Sequence, residues 1–506
     1  MMNQWVRNSS NELESKPSTC RTLQKRDKVD NPHFSITELD ECCGINDYFS
    51  LPTTDTLPSN KDVVYFNNAG KVPLPPLVEA VGRRALLGES RPWEEVKRRS
   101  LSQSSPSFLS LQSTVQEVRN LFACLINAPL GGHSIAICPS AGFAITMTAR
   151  NAYCTGILEP NDVVLVLQDG MSSEVYGWQD VADILVVELN GGDEDEDENN
   201  SEHYNDWTKS ILNAIRSSQR RVSVVCVPPL HWSDGSLIDL KAVGDACKKI
   251  DALFVVDATQ AVGIAPISVQ NIGCHVLVAS VHKWLLGPRG TCLMYVDPKF
   301  VSDSRGDGDE CDGDKKRGWL PLDQHERSRV AFQDERESAG KGRIGPSGYP
   351  EAFVSGTSRL DAGGGKNPIL LPMVLEGLRI VLDGPDPKTS QAILRQITDR
   401  IVAGASKFGL GIRSGPRAGH IIGLRPEGAT MRRIMTPDTM LHVAERLAGR
   451  NVFLAVRSGA FRISPYLNTT EDEVDQLLQA LEEECQKILD DENGKDDEDW
   501  ILVFKS

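Results

Sequence analysis

The chain has 506 residues and a formal net charge of −16, with 70 acidic against 54 basic side chains. That balance disfavours nucleic acid and acidic membrane surfaces as partners, and no apolar run approaches the roughly 20 residues that a membrane span needs. The length is enough for two domains with sizeable cores.

In chain order, residues 1–60 are polar and punctuated by Pro and Ser, with one short helical stretch expected near 36–43; they read as an arm. Their opening, MMNQWVRNSSNELESK, has no apolar signal core, and its early acids are unlike a transit peptide. A strand is expected at 63–66, followed by the polar turn Asn67-Asn68-Ala69-Gly70, then helices over 77–87 and 111–125. A strand at 134–138 runs into Pro139-Ser140-Ala141-Gly142-Phe143, which opens a helix through Ala152. Strand, small-residue turn and helix N-terminus form an anion site, because the first N–H groups of a helix are unpaired. Any α/β chain has several such turns.

A buried strand at 163–167 leads into a loop over 168–174, and the acidic run 191–200 reads as a solvated insertion. A helix at 207–217 precedes a strand at 222–227 that ends in Pro228-Pro229-Leu230-His231-Trp232-Ser233-Asp234-Gly235. After a helix at 238–250 comes an apolar strand that ends in Asp257. The next apolar run, 275–279, delivers Ser280, His282 and Lys283; Gly287, Pro288 and Gly290 then turn the chain into a third run at 291–296. Strands alternating with helices argue for a largely parallel sheet. Open α/β sheets bind ligands at the C-terminal edges of their strands, where Asp257 and Lys283 stand.

A polar insertion is expected over 301–348. Its Asp307–Asp312 run lacks the remainder of a calcium loop. The Gly-rich segment 358–368 does not open a helix after a strand as a dinucleotide fingerprint does. A helix at 369–382 then leads to a C-terminal unit with helices at 388–406 and 438–449, strands at 419–424 and 452–456, and a helix from Glu471. An acidic tail, expected to be irregular, covers 491–506. Twelve cysteines are scattered without CxxC spacing, many inside apolar runs such as those of Cys226 and Cys292. They read as reduced core residues, as in a cytoplasmic protein, and no metal is expected.

A lysine beside Ser, His and Trp between two apolar strands suits pyridoxal phosphate chemistry. A lysine amine forms the Schiff base with the cofactor aldehyde, and a carboxylate keeps the pyridine nitrogen protonated. An isolated Asp or Lys is more often a helix cap or a solvated turn. Here the combined strings decide. Asp257-Ala258-Thr259-Gln260-Ala261-Val262-Gly263 resembles the D-A-x-Q-x-x-G of the class V aminotransferase family of fold-type I enzymes, and Ser280-Val281-His282-Lys283-Trp284 resembles its S-x-H-K-W. The resemblance extends over about 64–475 and leans towards the isopenicillin N epimerase-like and cysteine desulfurase-like branch.

The resemblance implies a fold-type I α/β architecture. It would comprise a large domain over 61–368 with a mostly parallel, seven-stranded sheet flanked by helices, and a smaller α+β domain over 369–490. It implies a homodimer with an amino acid as substrate. Lys283 and Asp257 become the catalytic pair. Ser140, Ala141 and Gly142, with Ser280 and His282, become the phosphate cup; Phe143 would stack on the pyridine ring and Gln260 would meet its ring oxygen. Gly364 stands where the family reaches the neighbouring subunit's phosphate, by backbone only. Asn68, Gly70 and Trp232 would line the substrate pocket, and Arg462 would anchor the α-carboxylate, its planar fork suiting bidentate pairing. Trp232 departs from the Asn of many desulfurases, and Glu174 from the Asn expected in its loop.

Residues 455–461 hold no Cys where persulfide-forming desulfurases carry their nucleophile. A persulfide-forming desulfurase is thereby disfavoured. Because the branch that this chain resembles includes carbon–sulfur β-lyases, the resemblance implies a β-lyase on a cysteine-derived substrate. Transamination or epimerisation of a small amino acid uses the same residues. A catalytically silent scaffold of this fold is disfavoured by intact Lys283, Asp257 and Arg462, and a nicotinamide oxidoreductase by the missing glycine fingerprint.

Overall fold

The computed structural model describes residues 63–93, 111–189, 206–302, 318–329, 349–350, 352–363 and 366–503. The expected N-terminal arm, the insertion 191–200, most of 301–348 and Gly364 lie outside the described residues.

The elements run β1 (Val64–Tyr65), α1 (Pro76–Glu89), α2 (Leu111–Leu125), β2 (Ile135–Cys138), α3 (Ala141–Cys154), β3 (Val163–Leu167), α4 (Ser172–Gln179) and β4 (Asp183–Val187). They continue with α5 (Trp207–Ser217), β5 (Val222–Val227), α6 (Leu240–Lys249), β6 (Leu253–Asp257), the single turn α7 (Val269–Ile272), β7 (Val276–Ser280) and β8 (Cys292–Val296). The C-terminal part holds α8 (Leu370–Asp383), α9 (Pro387–Ala405), β9 (Leu410–Gly411), β10 (Ile422–Pro426), α10 (Ala429–Ile434), α11 (Pro437–Ala448), β11 (Val452–Phe453), β12 (Ala455–Arg457), β13 (Ala460–Ile463) and α12 (Glu471–Val503).

The expected seven-stranded sheet is present, in the order β2-β8-β7-β6-β5-β3-β4. Only β8 runs against its neighbours; β7, β6, β5, β3 and β4 pair in parallel. Its inner strands are apolar runs because both of their faces are covered. Leu165, Val225, Phe254 and Leu277 pack with α2, α5, α6 and α8 on one face. Val164, Cys226, Val255 and Val278 pack with α3 and Trp178 on the other. The period-two alternation of a strand sorts neighbouring residues between these two layers. Side-chain caps set the helix starts: Asp206 accepts from Thr208 N and Lys209 N, and Asp239 from Ala242 N.

A four-stranded antiparallel sheet, β12-β13-β10-β9, forms with α9, α11 and α12 around a third core. Sequence order does not anticipate that β1 belongs here: it pairs in parallel with β11, Val64 opposite Val452 and Tyr65 opposite Phe453. Asn67 continues the ladder onto Ser464.

Four details differ from the sequence expectation. The end of the 168–174 loop is the first turn of α4, which buries Glu174 and Trp178. The strand β4 is absent from the sequence expectation, although its 184–187 segment, Ile-Leu-Val-Val, is a continuous apolar run that could have announced it. The strand expected at 419–424 begins at Ile422, because Gly419 lies tight against the α9 backbone. The tail expected to be irregular is helical to Val503, continuing α12. Among the described residues no helix is long and apolar enough to cross a membrane.

Candidate active site

The C-terminal edge of the parallel strands collects the side chains. β6 ends in Asp257, which is 5% exposed. One of its oxygens accepts the Thr259 N–H at 3.0 Å, and the other accepts the Ser173 hydroxyl at 3.2 Å. β7 ends in Ser280, whose N–H is held by Thr259 Oγ1 at 3.1 Å. Register brings Cys138, Cys292 and Ser280 abreast on adjacent strands. The α3 N-terminus, two residues beyond Cys138, therefore lies along the same edge as Ser280. Ser140 caps that helix by accepting Phe143 N–H at 3.1 Å. Above Gly142 a Cβ would meet nothing nearer than 3.9 Å, so the turn leaves open ground. Ala141 is buried, whereas Phe143 is half-buried and packs against the α3 layer.

Beyond β7 the chain forms a buried turn that carries Lys283. Leu286 N–H returns to Lys283 O at 3.0 Å and Gly287 N–H to Val281 O at 2.9 Å. The turn is wedged between two glycines. At Gly263, φ is +99° and a Cβ would stand 2.4 Å from Trp284 O; at Gly377 of α8 it would stand 2.6 Å from Leu285 O. Only glycine tolerates the first position, both for its φ and for the close approach. Trp284 donates to Gln260 Oε1 at 2.9 Å, and Gln260 Nε2 donates to Ala69 O at 3.0 Å. The Gln260 carbonyl is thus taken by the protein, and one amide N–H remains for any other partner.

Lys283 is 8% exposed. Burial lowers its pKa from 10.5 to about 8, with Arg462 pressing the same way, while Asp257 and Glu174 pull it back up. Glu174, 2% exposed, has a buried Oε2 with no partner among the described residues. Desolvation, then the nearby Asp257, push its carboxyl well above the usual range. His282, half-buried, is brought down to about 4 by burial and by its cationic neighbours Lys283, Arg289 and Lys71. It is a neutral imidazole at physiological pH.

Arg462 occupies an inner strand of the small sheet and is 2% exposed. Its guanidinium donates to Asn67 Oδ1 at 3.0 Å and to Trp232 O at 3.3 Å. Its buried Nε has no partner among the described residues. No carboxylate among the described residues pairs with it. Burial and the neighbouring Arg457 lower its pKa to about 10, which leaves it a cation at neutral pH. Trp232 lies under the guanidinium at 5.6 Å and donates its own N–H to Asp169 O at 2.7 Å.

Of the sequence-predicted residues, the structure brings Lys283 and Asp257 together with Ser280 and His282 at the sheet edge. Trp232 and Arg462 stand against each other. Asn68 faces away from Arg462: its side-chain amide holds Ser464 O at 2.9 Å. Asn67 is the neighbour that reaches the arginine, with Gly70 turned closely over its side chain. Sequence reasoning also missed Ser173 and Arg457. The strand alternation that puts Asn67 on the face of Tyr65 is a signal that could have separated the two asparagines.

A family model described as aminotransferase class V matches residues 94–305. An uncharacterized aminotransferase, YcbU, of Bacillus subtilis is 32% identical over 103 residues, 18% of this chain and 28% of that protein. A probable cysteine desulfurase of Pyrococcus abyssi is 26% identical over 247 residues, 48% of this chain and 56% of that protein. The chain therefore covers less than two thirds of the length of these curated relatives. Among solved structures, a cysteine desulfurase of Thermococcus onnurineus superposes with a TM-score of 0.59 at 16% identity, covering 87% of this chain and 100% of that one. The cystine C–S lyase C-DES does so with a TM-score of 0.62 at 15% identity, covering 84% and 98%. At such identities the likeness is one of fold.

Proposed function

We propose that the chain is a member of the class V aminotransferase family of fold-type I enzymes, which use pyridoxal phosphate, as the family model over 94–305 and the shared fold support. On that premise it acts on an amino acid, and our reading is a carbon–sulfur β-lyase for a cysteine-derived substrate.

The residues present fit the cofactor. A buried amine of depressed pKa faces a buried carboxylate, open ground lies over Gly142 at the α3 N-terminus, and an unpaired guanidinium nitrogen waits on Arg462. Pyridoxal phosphate supplies an electron sink for charge that develops at the substrate Cα. Asp257, fixed by Ser173 and the Thr259 N–H, would hold the pyridine nitrogen. Ser140, Ala141, Gly142, Ser280 and neutral His282 would hold the phosphate, and Phe143 would cover the ring. Gln260 would offer its remaining N–H.

Lys283 would bind the cofactor covalently and, once freed by the substrate amine, carry the Cα proton. A free amine near pKa 8 is half-deprotonated close to working pH, which suits a general base. Arg462 would take the substrate α-carboxylate in place of the solvent it has shed, with Asn67 fixing its plane. That buried, carboxylate-free guanidinium beside Lys283 is the observation that carries an amino acid as substrate.

Two observations favour elimination over persulfide chemistry. The β12–β13 turn is the two-residue Ser458-Gly459, with φ of 45° and 66°. Two positive φ values in succession make a tight hairpin with no loop to carry a nucleophile. The thiols on the strands of the sheet are no substitute: burial pushes Cys138 up to about 12 and drives Cys226 and Cys292 well up, and a buried thiol is inert. A cystine C–S lyase shares the fold, which directs our choice of sulfur as the leaving atom. Exposed Leu77, Leu86, Leu87 and Trp93 on and just beyond α1 support a second copy as partner.

The test is an absorption spectrum of wild type beside Lys283→Ala after reconstitution, then with S-substituted cysteines. A visible band that borohydride removes in wild type only, with pyruvate and a thiol released, is the expected result. A keto acid formed together with the amine form of the cofactor would make it a transaminase. A wild type that takes up no cofactor would overturn the enzyme.

A further inference from the structure

We propose that Arg457 is a second anion hook of the substrate pocket, so that the preferred amino acid carries a carboxylate beyond its β-substituent. The inference rests on Arg462 as the α-carboxylate anchor. Arg457 ends β12, and the two-residue hairpin returns the chain to Arg462 on β13. Both guanidinium groups gather on the indole of Trp232, at 5.9 Å and 5.6 Å from the ring centroid. That indole is itself fixed by its N–H on Asp169 O, and the Trp232 backbone carbonyl accepts from Arg462.

Among the described residues neither cation has an acid of its own. Arg457 donates to Val456 O at 2.7 Å, a contact with its own neighbour, and no ion pair joins it to a carboxylate among the described residues. Of the carboxylates near this corner, Asp234 is occupied by Arg413 at 3.1 Å and Arg425 at 3.5 Å, and Asp169, which also acts on Arg425, forms no ion pair with Arg457. Two like charges that share one ring repel, and the proximity of Arg457 makes the Arg462 cation harder to keep. A ligand with two carboxylates relieves both at once. The buried Arg462 takes the inner one, and the exposed Arg457 meets the outer one at the mouth. Guanidinium suits this role through its rigid, two-pronged donor face.

In the elimination this places the outer carboxylate on the leaving half. The Cα proton passes to Lys283, the Cβ–S bond breaks with its electron pair on sulfur, and the sulfur is protonated to a thiol. The enamine left behind takes up water and gives pyruvate and ammonia.

The experiment titrates the holoenzyme with two isosteres, S-carboxymethyl-L-cysteine and S-carbamoylmethyl-L-cysteine, following the cofactor absorbance for binding and pyruvate for turnover. Wild type should bind the carboxymethyl compound about tenfold more tightly, the worth of one charge-assisted hydrogen bond at a wet site. In Arg457→Gln that ratio should fall to about one, and in Arg457→Lys it should be partly restored. Discrimination in binding without pyruvate from either compound leaves Arg457 standing and removes the lyase. Pyruvate from both with no discrimination in wild type, or a ratio unchanged in Arg457→Gln, overturns Arg457 and leaves the lyase. If neither compound perturbs the cofactor, the amino-acid reading falls and the proposal with it.

Discussion

Replacing Lys283 by Met removes the buried amine while keeping most of its apolar stem. Burial takes the Lys283 pKa from 10.5 to about 8, and at about 1.4 kcal/mol per pH unit this disfavours the charged form by about 3 kcal/mol. The folded chain binds this proton more weakly than the unfolded chain does. Wild type therefore bears the full cost below pH 8 and sheds it as pH rises from 8 towards 10.5. Cofactor-free Lys283→Met should accordingly be more stable than cofactor-free wild type, by up to about 3 kcal/mol at pH 7 and about 2 kcal/mol at pH 9. The attraction of Asp257 for the amine is already contained in that lowered pKa and needs no separate allowance, so the gap should narrow by about 1 kcal/mol between pH 7 and pH 9. Urea unfolding of both apoproteins at pH 7, 8 and 9, followed by tryptophan fluorescence, measures the gap from the midpoints at equal slope. Two stabilities that stay parallel from pH 7 to 9 would refute the reasoning, because the amine would then titrate as an exposed lysine.

Two further outcomes follow from the site. Arg462→Gln should raise KM for any amino acid by roughly 30-fold or more, the consequence of losing about 2 kcal/mol at a buried ion pair; steady-state kinetics with KM unchanged would remove Arg462 as the anchor. Glu174→Gln should stabilise the apoprotein at pH 7 but not at pH 4 or below. Above pH 4.5 the unfolded chain releases this proton while the folded chain keeps it, so wild type loses stability as pH rises and the amide does not; equal midpoints for the two proteins at pH 7 would show that Glu174 is ionised after all.

Much of the sheet could be read from the chain because its strands are buried on both faces. VVLVL, VSVVCV and LFVVD allow no other reading once helices stand between them. The Asp257 and Lys283 strings could be read because their spacing places both at strand ends, where the sheet gathers ligands. What could not be read depends on pairings distant in sequence. Asn67 and Asn68 are chemically alike, and only the ladder of Asn67 onto Ser464 decides which amide turns towards Arg462. The strand β4 is legible in its Ile-Leu-Val-Val run although the sequence expectation omits it, whereas α4 hid because eight residues with two serines and a glycine carry little helical pattern. Nothing in the sequence singles out Arg457; only its place 5.9 Å from the Trp232 ring does.

The pairing of β1 with β11 also governs when this site can exist. Val64 meets Val452 only after almost 400 further residues have been made, and Arg462 meets Asn67 later still. At about 5–20 residues per second, roughly 20–80 s separate synthesis of the two partners. During that interval the Lys283 sheet has everything it needs to fold, whereas β1 is a strand edge with nothing to pair with. The ribosome thus releases a nascent chain that holds its lysine and carboxylate early and the buried Arg462 late. On the proposed reading, specificity for an amino acid is completed only after the sheet that carries the chemistry.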